Sequence, residues 1–193
     1  MTGMTIPTDK TVDLLQAVLT HLALVVGGIT EEQLHQPTPC TEFDVEQLRD
    51  HVLGWLTNFA AGFAHPHGQA PSADIAGYRA PTDPAAQVEA SADRLDRAIR
   101  AGGAARPLRL GESEMPGDMA LGMILWEYQV HGWDLARATG QQWSPPVEAA
   151  EESLAFANPV MVPEDAPPLD RLTGLSGRDP SWSAPDHRPP ILP

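Results

Sequence analysis

Cysteine is almost absent: Cys40 is the single one in 193 residues. One thiol excludes an intramolecular disulfide and any metal site built on a cysteine pair, and it fits a reducing compartment, the cytoplasm by default. Basic residues are scarce too, 12 Lys and Arg against 26 Asp and Glu, for a formal net charge of −14. With that balance and no basic patch, a phosphate backbone or an anionic lipid surface would be repelled on approach, so neither nucleic acid nor membrane is expected as a partner. No apolar run reaches the length a bilayer needs. The stretch from Val18 to Ile29 is broken by Thr20 and His21 and has no basic leader, so it reads as part of a core helix. Alternating strand residues joined by hairpin turns are missing, as is any repeat of fixed period.

What is present suits one helical domain. At 42% hydrophobic and 20% charged, the chain has enough apolar material for a core, and its length is that of a single medium domain. Gly and Pro, 16 and 20 in number, gather in loops and near the C-terminus.

Five segments carry helical periodicity. The first runs from about Asp9 to Val26, with Val12, Leu15, Leu19, Leu22 and Val26 on one face, and Gly27-Gly28 stops it. The second follows Pro37-Thr38-Pro39-Cys40 and opens on a capping-box pair, Asp44 with Gln47. Its apolar stripe continues through Leu48, Val52 and Phe59 to Phe63, with His51 beside it. Residues 65–81 form a Pro/Gly-rich connection. Asp83-Pro84 gives N-cap then N1 for a third helix that ends at Gly102-Gly103. Pro107 to Leu110 is a candidate for a short extended piece. The fourth helix starts near Pro116-Gly117-Asp118 and ends at Gly140, and a weaker fifth runs from Val147 to about Ala157. Helices of about four turns predict an all-α four-helix bundle with an additional C-terminal helical segment. The expected division is a helical domain over residues 1–178 and a Pro-rich tail over residues 179–193, lying on the surface or disordered.

Glu127 and His131 are the pair that carries chemistry. Four residues apart, they project from one helix face on successive turns, between Ile124 and Leu135 of the apolar stripe. A carboxylate on that stripe is costly to bury unless it is paired, protonated or bound to a cation. Imidazole and carboxylate together suit a divalent transition metal, with a third ligand drawn from another helix. His51 is the candidate for that third place. Three protein ligands would leave an open position, the pattern of a catalytic metal site. Spacing alone equally allows a plain intrahelical Glu/His contact, and a core-edge histidine held by hydrogen bonds at His51. Cys40, in the turn before the second helix, reads as structural, and His65 and His67 as exposed loop residues. Trp55 and Trp126 read as core packing. Asp134 is either an orienting partner for His131 or a surface or capping residue.

Two blocks and a terminal motif carry a resemblance. TPCTEFDVEQLRDHVLGWL (38–56), WEYQVHGWDLARATGQ (126–141) and GLSGRDPSW (174–182) resemble the DinB-like metal-binding proteins, in the branch of mycothiol-dependent maleylpyruvate isomerases and their short relatives without the C-terminal domain. Phe43 stands where such relatives usually carry a tryptophan. The resemblance implies a four-helix bundle that holds a divalent metal, most often zinc, through residues at the positions of His51, Glu127 and His131. It further implies a thiol-dependent, mycothiol-type transferase or isomerase, with mycothiol as cosubstrate and a small electrophile as substrate. A non-catalytic metal or small-molecule binding protein of the same fold is the alternative. An apolar bundle face left uncovered by the tail would allow a homodimer.

Overall fold

The computed structural model describes residues 8–156 and 165–185. Its main helices are α1 (Thr8–Gly27), α2 (Val45–Ala64), α3 (Pro84–Arg100) and α4 (Gly117–Thr139), followed by the shorter α5 (Val147–Phe156) and α6 (Pro168–Leu175). The sequence explains the ends. At the start of α2, Asp44 Oδ1 accepts the Gln47 N–H at 2.8 Å, while Gln47 Oε1 accepts the Asp44 N–H at 3.0 Å, the reciprocal capping box. Asp83 caps α3 by accepting the Ala86 N–H, with Pro84 in the first turn. At the end of α4, Gly140 adopts a φ of 67°, the left-handed conformation that stops a helix with least strain at glycine.

The four long helices form a bundle in which α1 and α2, though consecutive, lie on a diagonal. Helix α1 packs against α3 and α4, and α2 packs against the same two from the other side. The core is the set of stripes read from the sequence. Leu15, Val18, Leu19 and Leu22 of α1, Leu48 and Leu56 of α2, Leu95 of α3 and Ile124 and Leu125 of α4 are all fully buried. By length and composition α1 is apolar enough to cross a membrane, more than the interrupted stretch within it suggested, and it packs here as a core helix of the bundle.

Two features exceed the sequence expectation. The extended piece anticipated at Pro107–Leu110 is half of a hairpin, β1 (Leu108–Leu110) against β2 (Ser113–Met115), turning at Gly111 with a φ of 62°. Strands this short offer too few residues for alternation to show. The C-terminal helical segment is α6, which opens on Pro168 after Pro167. Val130, Ala150 and Leu172 bury a small second cluster where α4, α5 and α6 meet, with Trp126 packed against it. Beyond α6 the chain turns back over α4: Arg137 Nη2 donates to the Pro180 carbonyl at 2.7 Å, and Trp182 packs against the main core. Ala157, the expected end of α5, and residues 186–193 of the expected tail lie outside the described residues.

Candidate metal centre

Adjacent helices α2 and α4 bring His51, Glu127 and His131 to one place. The His51 and His131 rings lie edge to face with centroids 5.7 Å apart. His131 Nε2 is 3.3 Å from Glu127 Oε2. Tyr128, buried between them in sequence, ties the two helices by donating its hydroxyl to the Val52 carbonyl at 3.0 Å. Phe43 backs His51 with ring centroids 4.8 Å apart and an interplanar angle of 34°, and the edge of Trp55 lies further along α2.

His131 is clamped from behind. Its Nδ1 lies 3.2 Å from Asp134 Oδ2. Asp134 is completely buried and also accepts from Arg178, through Nη2 at 2.9 Å and Nε at 3.2 Å to each oxygen. An anionic carboxylate accepts only, so Nδ1 carries a proton, and in the neutral ring Nε2 is left with its lone pair on the side of Glu127. Arg178 is itself held by donating Nη1 to the Ser176 carbonyl, and the Ser176 hydroxyl meets Trp126 Nε1.

Electrostatics follow from these contacts. Burial lowers the His51 pKa, aided by the charge on His131, which favours the neutral ring that a metal requires. Burial also works against a charged His131, but the carboxylates of Asp134 and Glu127 outweigh it and raise the pKa. The His131 imidazole holds the Glu127 carboxyl below its ordinary range despite partial desolvation. The Glu127 side chain is 50% exposed. The carboxylate whose burial demands compensation is therefore Asp134, and its surface or capping alternative is ruled out.

Two imidazoles and a carboxylate are donor types that a divalent transition ion accepts. The ligand atoms of His51, Glu127 and His131 do not all lie within 4.8 Å of one another as they stand, so closing on one ion requires a side-chain rotation. Two ligands each about 2.0–2.1 Å from a tetrahedral ion lie about 3.3 Å apart, whereas a charge-assisted hydrogen bond between nitrogen and carboxylate is about 2.7–2.9 Å. The observed 3.3 Å between His131 and Glu127 is open to both, and the contact already lowers the Glu127 pKa as an ion pair does. A second group of possible ligands, Cys40, His131 and Asp134, offers atoms within 4.8 Å of one another. It is a poor cation site: the Arg178 guanidinium already neutralises Asp134, and burial pushes the Cys40 thiol pKa up, keeping it protonated. Cys40 is buried. His65 and His67 stay exposed in their loop. His65 Nδ1 accepts the N–H groups of His67 and Gln69, a local turn, and no third ligand joins them among the described residues.

Two cavities share the three side chains as a common wall. One, of about 270 Å³, extends from them beneath Trp55, Phe59, Leu110, Met115 and Met123. The other, of about 250 Å³, extends toward Cys40, Glu42, Trp126, Ser176 and Arg178. Trp55 and Trp126, read from the sequence as packing residues, therefore each face a cavity as well. The sequence reasoning missed Arg178. Its signal lay in the GLSGRDPSW motif, which spacing alone could not connect to Asp134.

Comparison with known proteins settles the kinship. The sequence model of the mycothiol maleylpyruvate isomerase N-terminal domain matches residues 15–136. The chain belongs to that family. Two uncharacterized proteins of Mycobacterium tuberculosis, MT0763 of strain CDC 1551 and Rv0738 of strain H37Rv, are each 29% identical to it over 175 residues, spanning 81% of this chain and 91% of the relative. YfiT from Bacillus subtilis, described as a probable metal-dependent hydrolase with an unusual four-helix bundle topology, superposes with a TM-score of 0.54 at 18% identity. That superposition covers 74% of this chain and 94% of YfiT, and it shows a shared four-helix bundle fold.

Proposed function

We propose that His51, Glu127 and His131 hold a divalent cation, zinc foremost, and that the chain is a cytoplasmic thiol-dependent transferase or isomerase of the mycothiol type. The observation that carries the reading is the orientation of His131, whose Nε2 faces Glu127 at 3.3 Å while Nδ1 is fixed by a buried carboxylate. A family named for a mycothiol-dependent isomerase and a bundle neighbour described as metal-dependent both support it. A divalent ion bound there would act as a Lewis acid that makes a coordinated thiol available as thiolate at neutral pH.

The chain's own residues supply the rest. Asp134 and Arg178 fix the tautomer and aim of His131, and Phe43 and Trp55 confine the His51 ring between aromatic surfaces. The half-exposed Glu127 opens onto both cavities, so two small molecules, a thiol and an electrophile, could meet at one wall. The cavity beside Cys40 is the more polar, lined by Glu42, Ser176 and the Asp134-paired Arg178, and so suits a polar thiol better than the other, which is nearly all apolar.

Elemental analysis of untagged protein tests the ligand set. Native protein should retain near-stoichiometric divalent metal, and His51→Ala or His131→Ala should each abolish retention with helical content kept. Unchanged metal in both variants rejects the site. Cobalt-substituted protein should develop a thiolate-to-metal absorption band with mycothiol, bacillithiol or glutathione. A loaded protein that answers none of the three is a metal-binding protein rather than a thiol enzyme.

A further inference from the structure

The two cavities flanking the candidate centre differ in polarity. Glu42, Ser176 and Arg178, the last paired with Asp134, line one of them. Neither lysine nor arginine lines the other, where the only acid is Glu127, at the shared wall. Trp55 and Phe59 also line it, stacked with an interplanar angle of 22° and centroids 5.2 Å apart. Met115 and Met123 contribute thioethers from β2 and α4, and Leu110 comes from β1.

We infer that this cavity binds an uncharged, largely apolar molecule of one or two rings, and that this molecule is the electrophile of the proposed reaction. Indole and phenyl rings stacked on one another give the cavity a rigid apolar aromatic lining, while methionines adapt to a ring edge through polarizable sulfur. A void of about 150 Å³ accepts benzene, so about 270 Å³ accommodates a substituted single ring or a fused pair. Carboxylates are disfavoured on physical grounds. A dicarboxylate would leave at least one anion against Met115, Met123 and Leu110 without a cationic side chain to compensate its lost hydration. Maleylpyruvate, which names the family, carries two carboxylates, so the inference separates this chain from that substrate.

The binding half stands on the cavity alone, and the electrophile half rests on the metal and thiol reading above. In the latter, the thiol sulfur forms a bond to the electrophilic carbon, the carbon–halogen bond of an aryl halide breaks, halide departs with the electron pair, and the thiol proton passes to solvent.

The first test uses metal-free, chelator-treated protein with methyl-labelled methionine, whose six signals are followed by NMR during titration with toluene and, separately, with maleate. Toluene should shift the Met115 and Met123 resonances in a saturable way, and maleate should not. Met123→Phe, which fills the cavity, should weaken toluene binding by about tenfold, and Leu110→Phe serves should the first variant not fold. Shifts confined to other methionines, or maleate competing at Met115 and Met123, overturn the inference. The second test follows zinc-loaded protein with mycothiol and 1-chloro-2,4-dinitrobenzene. Met123→Phe should raise KM for the aryl halide and leave the cobalt–thiolate band unchanged. Toluene binding without any turnover removes the electrophile half and keeps the cavity; loss of the cobalt band in native protein removes the metal and thiol reading instead.

Discussion

The buried pair of Asp134 and Arg178 gives the sharpest quantitative prediction. Asp134 has no exposed side-chain surface and Arg178 only 15%, and the guanidinium makes three contacts of 2.9–3.2 Å to the carboxylate. Removing one partner of such a pair strands a buried charge, at a cost of about 3–5 kcal/mol. Water can reach the space left by Arg178 through its exposed edge, so Arg178→Ala should fall near the lower end, about 3 kcal/mol. In urea, with a slope of about 2–3 kcal/mol per molar, that shifts the unfolding midpoint by about 1–1.5 M. Asp134→Asn together with Arg178→Ala should cost less than the sum of the single changes, with a coupling of about 1–3 kcal/mol.

The same substitution has a second consequence that stability alone would not show. Without the Asp134 carboxylate, His131 loses the acceptor that fixes its tautomer and orientation. Asp134→Asn should therefore lower zinc affinity about 10–100-fold in competition with a chromophoric chelator. If Arg178→Ala costs under about 1 kcal/mol, the two changes add, and zinc affinity is untouched by Asp134→Asn, the clamp described here does not operate.

Other predictions test the frame around the site. Tyr128 is fully buried, and burial raises its pKa well above the ordinary tyrosine value. A raised folded pKa means this contribution to stability is intact below the unfolded value near 10 and disappears as pH climbs through the folded one. In a Tyr78→Phe background, phenolate absorbance from Tyr128 should appear only as helical circular dichroism collapses; reversible titration near pH 10 with helix intact contradicts the assignment. Gly132→Ala would drive a Cβ into the Trp143 ring and should lower stability by about 1–3 kcal/mol despite alanine's better helix propensity. A raised Tm in that variant would mean that Trp143 moves aside freely. Asp44→Ala, which removes the cap of α2, should cost about 1 kcal/mol in thermal or urea unfolding, and an unchanged midpoint would show that Gln47 and water suffice.

Local chemistry in the sequence was enough to bound the helices. Asp44 with Gln47, Asp83 before Pro84, and Gly140 after Thr139 each satisfy or end a helix through atoms within a few residues, so their signals survive without tertiary context. The hairpin did not announce itself, because Leu108–Leu110 and Ser113–Met115 are each three residues long and gain definition by pairing with one another and with the Gly68–Ala70 backbone. The diagonal placement of α1 and α2 was equally hidden: amphipathic stripes say that faces are buried, not against which neighbour.

At the candidate centre the structure revises the reason for which Glu127 and His131 stand out in the sequence. Glu127 and His131 stood out because an acid and an imidazole shared an apolar stripe, and burial of the acid seemed to demand a cation. Glu127 is half exposed, so that demand is weak. The acid under compulsion is Asp134, one turn further and wholly buried, and it finds its cation in Arg178, 44 residues later in the chain. Neutralising Asp134 in this way frees it to orient His131 without competing for a metal. It leaves Nε2 of His131 beside a carboxylate that is open to solvent and to both cavities. The segment after α6 therefore acts on the centre by holding in place the acid that aims one of its three proposed ligands.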